Sequence, residues 1–509
     1  MVSSSEVLAV FIGLFFAYVF YRRRRSNPPL PPGPKKWPIV GNLFQIPTSF
    51  EWETYAHWGE VYNSDILHLD VAGKSIIIVN SIKAATELFE KRSALYSSRT
   101  RFVMVNELIG FDWLFGFMPY ADAWKERRRL FQKHFHPLDA ASHQPIELDF
   151  TQKLLKQLLQ TPDEFMSHIR HMVGAVTITI AYGLPIQARN DPYIEIAEQS
   201  LIGLAAGAAP GAFLVDSLPI LKHVPAWFPG ADFQRKAAVW REWTKKMVQV
   251  PFEDAIKAIA AGTAIPSFTS MCLENMDETK DKEHQKKVIR ETAATFFVGG
   301  SDTTVSAINT FMLAMTCYPE VQAKAQKELD RVLGKNVLPD FGDEETLPYI
   351  SAIVKEVLRW QTVTPLAIPH CLLEDDVYGG YFLPKGSIVA GNAWAMLHDK
   401  DDYSQPLAFQ PERFLTPDGK LDPEVREPTA AFGFGRRVCP GKHMAASMLF
   451  ISISSILSVF DISKAVDENG SVIEPTREYV SSMVLHPQPF KCSIKPRSKA
   501  AEAVVNALG

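Results

Sequence analysis

Cysteine is scarce. The 509-residue chain has five, Cys272, Cys317, Cys371, Cys439 and Cys492. They are odd in number and scattered, and no two form a Cys-x-x-Cys pair. That excludes a disulfide framework, a four-ligand zinc site and the Cys-x-x-Cys-His attachment of a c-type haem. The usage fits a reducing, cytosol-facing environment. No Gly-x-Gly-x-x-Gly follows a strand pattern, so there is no flavin or nicotinamide fingerprint and the chain cannot take hydride itself. Any electrons it uses must come from a separate protein. Its net charge of −4 provides no field to recruit nucleic acid. After Lys35 there is no second linker, low-complexity tract or internal repeat.

Long apolar runs are equally rare, and the prominent one stands at the amino terminus. "VLAVFIGLFFAYVFY", residues 7–21, precedes "RRRR" at 22–25. A cleaved leader puts its basic residues first; this order is that of a signal anchor. Residues 1–25 are therefore expected to form a single transmembrane helix with a basic stop, and the positive-inside rule keeps all that follows on the cytoplasmic side. The sequon Asn469-Gly-Ser471 would then stay unglycosylated. "NPPLPPGP", residues 27–34, cannot be helical, and residues 26–34 read as a stiff extended hinge.

Residues 35–509 read as one large catalytic domain. Helical periodicity covers 118–136, 149–182, 232–260, 284–317, 319–334 and 346–361. Strand patterns are few and short: "ILHLDVAG", "KSIIIVN", "GGYFLPKGSIVAGN" and "MVLHPQPFKCSI". The expected class is mostly α with small β sheets.

"AAFGFGRRVCPGKHMA", residues 430–445, sets Cys439 among glycines and arginines, just ahead of an apolar helical pattern. Arg436, Arg437 and the coming helix start favour a thiolate, which can be a nucleophile, a redox sensor or a metal ligand. His443, the nearest base in sequence, falls inside the following helix. The spacing Phe432-x-x-Gly435-x-Arg437-x-Cys439-x-Gly441 suits a single thiolate beneath a flat macrocycle. Gly435 and Gly441 would admit the plane closely, Phe432 would pack by the sulfur, and Arg437 would reach an acidic edge.

Those five positions resemble the haem-ligand signature of the cytochrome P450 superfamily. The resemblance implies the P450 fold, haem b (iron protoporphyrin IX) as cofactor and Cys439 as axial iron ligand. "FFVGGSDTTVSA", residues 296–307, resembles the family's oxygen-activating helix, which makes Asp302 and Thr303 the acid and hydroxyl that handle protons. Read alone, two adjacent helical glycines would mean close helix packing. "KEVLRW" and "FQPERF" resemble the segments supplying Glu356, Arg359 and Arg413, a structural cluster. "DAWKERRRLFQKHF" resembles the helix that gives Trp124 and Arg128 to a haem propionate, and Arg99 and His370 also match propionate positions. Cys371 stands where relatives often carry a basic residue. Arg127, Arg129 and Lys133 project elsewhere on that helix and are candidates for a cationic docking surface.

The resemblance also implies dioxygen as co-substrate, NADPH–cytochrome P450 reductase as partner and the endoplasmic reticulum membrane as location. Long stretches are similar to the basidiomycete, OrdA-like secondary-metabolism group, which makes an apolar or aromatic small molecule the expected substrate: terpenoid, polycyclic aromatic, stilbene or indole. Phe296, Phe297, Leu366, Ile368 and Met483 are candidate cavity residues, and Glu107 and Asp112 candidate holders of a substrate ammonium. Trp227 and Phe228 suit a membrane interface. Two other readings are a P450-fold isomerase or dehydratase needing no dioxygen, and a non-catalytic haem protein. Both go with a degraded acid–alcohol pair, whereas Asp302 and Thr303 are intact.

Overall fold

The computed structural model describes residues 28–136, 141–208 and 211–508. The anchor expected over 1–25 lies outside them. The visible part of the Pro-rich stretch is hydrogen-bonded to the body. The Pro29 carbonyl accepts from the Phe382 amide at 2.8 Å, and that of Pro32 from the His68 amide at 2.9 Å.

Helix α1 (Glu51–Val61) leads into strands β1 (Ile66–Val71) and β2 (Lys74–Val79). Their turn places Ala72 at φ 50° and Gly73 at φ 85°, the two left-handed residues a tight hairpin needs. A π-helical turn (Thr86–Lys91), β3 (Ser98–Arg99) and a second π-helical stretch (Val103–Ile109) follow. Helix α2 spans Asp122–His134. The helix expected over 149–182 is two, α3 (Gln144–Gln160) and α4 (Phe165–Tyr182). Pro162 ends the first, because proline disfavours helical backbone at the residue before it.

Next come α5 (Pro192–Ala208), α6 (Asp232–Ala260) and α7 (Phe268–Glu274). The 36-residue α8 (Lys282–Cys317) is capped by Asp281, whose side chain accepts the Glu283 and His284 amides. Then α9 (Pro319–Val332) and α10 (Pro348–Trp360) precede the short strands β4 (His370–Cys371), β5 (Asp376–Tyr378), β6 (Tyr381–Leu383) and β7 (Ile388–Gly391). Helix α11 (Lys442–Val459) follows the cysteine loop. Strands β8 (Phe460–Lys464), β9 (Tyr479–Val480), β10 (His486–Pro487) and β11 (Cys492–Pro496) and helix α12 (Lys499–Ala507) complete the described chain.

The fold is mostly helical with small sheets, as expected. The largest sheet runs β1-β2-β7-β4-β3, with only β2 and β7 parallel. Helix α8 packs along α4 and against α2 and α11, buried over most of its length. Among the described residues, α11 alone is long and apolar enough to cross a membrane. It is mostly buried, however, and belongs to the core between α3, α8 and α10.

Candidate active site

The loop ahead of α11 closes on itself, the Cys439 amide donating to the Phe432 carbonyl at 2.7 Å. Gly435 sits at φ +53°, and a Cβ there would come 2.1 Å from the Phe89 carbonyl oxygen. Its missing side chain therefore makes room for the backbone of the π-helical turn, which corrects the expectation that it opens toward a macrocycle. Gly441 fits that expectation: it lines the cavity, and a Cβ there meets nothing within 4 Å. Phe89 stacks on Phe434 at 5.2 Å and lies 4.5 Å from the His370 ring, locking loop, turn and β4 together.

Cys439 lines the same cavity. Burial pushes its thiol up, while the Gly441 amide and the charges of Arg128 and Lys442 pull the other way without prevailing. Cationic neighbours alone thus do not make it a thiolate, as the sequence suggested. A cation bound at the sulfur would complete the deprotonation.

Four basic side chains ring the cavity beside this loop. Arg99 and His370 are cross-strand partners, so their side chains share a face of the sheet. Arg437 donates to the carbonyls of Gly116 at 2.9 Å and Met118 at 3.0 Å, its guanidinium 4.6 Å over the Trp124 ring. Arg128 donates to the Val438 carbonyl at 2.8 Å, and Arg99 to those of Gly116 and Ile368. The Nδ1 of His370 meets the Tyr96 carbonyl at 2.6 Å, leaving Nε2 as its remaining polar atom. All four are buried, and none is in an ion pair among the described residues. Desolvation and then the nearby Arg128 bring Arg437 down to about 9. Burial and neighbouring guanidinium charge likewise lower Arg99 and His370 far below their ordinary values. The buried guanidiniums, held by carbonyls without a carboxylate, form a site suited to an anion.

Across the cavity, of about 310 Å³, runs α8. The Thr303 hydroxyl donates to the Gly299 carbonyl at 2.8 Å, one turn back. Asp302 is held from two sides, by Arg170 of α4 at 3.1 Å on Oδ1 and by His486 Nε2 of β10 at 3.1 Å on Oδ2. Burial raises its carboxyl, but His486 and Arg170 outweigh burial and hold it below the usual range. The adjacent glycines differ: a Cβ on Gly299 would enter open cavity, whereas one on Gly300 would strike Thr177 at 2.6 Å. Helix packing explains Gly300, and access to the cavity explains Gly299.

Other sequence expectations divide. Phe296, Ile368 and Met483 line the cavity along with Phe115, Val173 and Leu204. Phe297 does not: it is fully buried, edge-on to Tyr182. Leu366 is not among the cavity's lining residues; it packs both on the main core and on the smaller cluster of Tyr55, Leu67 and Ile78. Glu107 is also outside the cavity, paired with Arg101 and with Lys222, and Asp112 is exposed away from it. The acid among the lining residues is Asp302. Arg127 is no docking residue. It is buried and ion-paired with Glu291 at 2.5 Å, while Arg129 and Lys133 are exposed.

Glu356, Arg359 and Arg413 meet as expected, Arg359 at 2.6 Å and Arg413 at 3.2 Å from the Glu356 carboxylate, away from the cavity. Arg170 and His486 were not anticipated. They stand 132 and 184 residues from Asp302, in segments with no motif of their own.

The family profile for cytochrome P450 matches residues 31–494. The chain belongs to the cytochrome P450 family. The P450 is 47% identical to cytochrome P450 monooxygenase 98 of Postia placenta, over 98% of this chain and 97% of that one. It is 46% identical to cytochrome P450 monooxygenase ple1 of Rhodocybe pseudopiperita, over 98% and 96%. It is 44% identical to the tryptamine 4-monooxygenase of Psilocybe cyanescens, over 96% of each chain. It is a P450 monooxygenase, with haem b as its cofactor. The site suits that group: a cavity-facing sulfur, open space over Gly441 and Gly299, and buried cations without a carboxylate match an iron porphyrin bearing two propionates.

Proposed function

We propose that Cys439 would bind the haem iron through its thiolate and that Arg99, Trp124, Arg128, His370 and Arg437 would hold the propionates. When bound, the haem supplies one-electron and dioxygen chemistry. The chain's own residues do the rest. Phe432 and Gly441 shape the floor around the sulfur. The apolar walls at Phe115, Val173, Leu204 and Phe296 exclude water and seat an apolar or aromatic small molecule. Asp302 and Thr303, both on the cavity wall, hold and pass protons where substrate and oxygen meet. This puts one oxygen atom from dioxygen into the product and the other into water, in fungal secondary metabolism or xenobiotic oxidation.

The observation that carries the reading is the placement of one cysteine thiol and one acid–alcohol pair on the walls of a single apolar cavity. Electrons come from NADPH–cytochrome P450 reductase, docking on exposed Arg129 and Lys133 with Arg436. Strongly exposed Trp37, Ile39, Phe44, Ile220 and Trp227 suit a bilayer surface, which supports a protein anchored in the endoplasmic reticulum membrane with its body in the cytosol. Because Asp302 is the cavity's acid and is already doubly paired, the walls favour a neutral substrate over an ammonium.

The test is product analysis in reductase-supplied microsomes given terpenoid, indole and stilbene candidates under ¹⁸O₂. A product carrying one labelled oxygen is expected. Product formed equally without dioxygen or NADPH would instead establish the isomerase reading.

A further inference from the structure

Asp302 has two partners of different chemical capacity. Arg170 is a permanent cation at any physiological pH and cannot release a proton. An imidazole can take up and release one in the neutral range. His486 presents Nε2 to Asp302 Oδ2 at 3.1 Å, the same separation as the arginine on the other oxygen. Side-chain exposure rises outward from the cavity, 16% for Asp302, 21% for His486, 31% for Arg170 and 43% for Glu198, which lies 3.4 Å from Arg170. Asp302 thus stands between cavity and outer cluster, and one neighbour can both reach solvent and carry a proton. The charged group in contact with His486 is Asp302 from α8, with Arg170 from α4 on the other carboxylate oxygen and Glu198 of α5 behind that arginine. The cross-strand partner of His486 is uncharged Val480.

The geometry points to His486 as the group that reloads Asp302 with protons during turnover. The imidazolium Nε2–H bond breaks and an Oδ2–H bond forms on Asp302; the neutral imidazole then takes a proton from solvent water. Arg170 keeps the carboxylate in place through each transfer. His486 acts through Asp302 and is a positioning and proton-supplying residue, not a catalytic one. The inference rests on the reading that Asp302 handles protons at the cavity.

The test uses the full-length holoenzyme with reductase and compares His486→Gln, which keeps a hydrogen-bonding side chain but cannot titrate, with His486→Lys, which keeps the charge. Haem content and substrate affinity should match the parent in both. Turnover should fall on the order of tenfold or more in both, with a larger solvent deuterium isotope effect. The pH dependence of turnover in the parent should be altered in His486→Gln. A parent-like pH profile in His486→Gln, or full turnover in His486→Lys, overturns the inference.

A second readout needs no turnover. With ¹⁵N-labelled histidine, the imidazole signal missing from His486→Gln should shift when Asp302 is changed to Asn. An unmoved signal means the pair does not form, which also overturns it. Asp302→Asn separates the two levels. If that variant turns over like the parent, the role of Asp302 itself fails. If it is slow while His486→Gln is normal, only the assignment of His486 fails.

Discussion

Glu356 with Arg359 and Arg413, and Asp302 with Arg170 and His486, are each one carboxylate held by two basic side chains. The first cluster is closed. Glu356 and Arg359 have no exposed surface, and their remaining hydrogen-bonding groups are taken up by backbone: the Gln410 amide and the carbonyls of Leu397, Pro406 and Ala408. Its cations are both guanidiniums, so no proton moves, and the carboxylate they hold is sealed from solvent. The second cluster is partly open, touches the cavity through Asp302, and includes an imidazole. Equal formulas therefore serve opposite ends. Full burial with permanent charges ties segments of the fold together, whereas partial burial beside a cavity, with one titratable partner, allows chemistry.

The comparison is broken most severely at Arg359. Arg359→Ala leaves the Glu356 carboxylate buried beside Arg413 alone, and should cost about 3–5 kcal/mol. Denaturant unfolding and haem content should show a destabilised protein with little cofactor; a stable, haem-replete variant would mean the closed cluster is not structural. Asp302→Asn should leave fold and haem content intact and lower turnover on the order of 100-fold, within the usual range for a positioned proton-transfer group. Loss of fold in that variant would make the two clusters alike.

Thr303→Ala sharpens the contrast further. Haem binding and NADPH use should persist, product per NADPH should fall severalfold and peroxide should rise. Measuring all three on one preparation decides it, and unchanged coupling removes Thr303 from the proton path. The smallest effect concerns acid. Because the folded-state value of Asp302 is depressed, its pairing contributes stability that is present above about pH 4 and lost as pH falls through the folded value. Unfolding curves of the parent should lose stability in that window relative to Asp302→Asn, and parallel curves would deny the depressed value.

Much of this was legible beforehand, for definite reasons. The signature from Phe432 to Gly441 is contiguous, so one segment discloses the sulfur and its loop. Asp302 and Thr303 lie on a helix whose glycines stand out against helix propensity. What stayed hidden depends on long-range packing. The partners of Asp302 come from α4 and from a two-residue strand near the carboxyl end. The two uses of adjacent glycines became visible only with Thr177 placed against Gly300. Arg127 has the same sequence context as exposed Arg129, and only the approach of Glu291 from α8 separates them. Leu366 and Phe297 show the same limit: apolar character predicts burial but not which cavity or cluster receives the side chain.

The most direct test is ligation by Cys439, from which the reading of the whole cavity follows. The reduced parent protein with carbon monoxide should give the red-shifted Soret band of a thiolate-ligated haem. Cys439→Ser and Cys439→His should lose that band, with any haem they retain absorbing at shorter wavelength. A parent protein without the band, or either variant with it, would contradict the account.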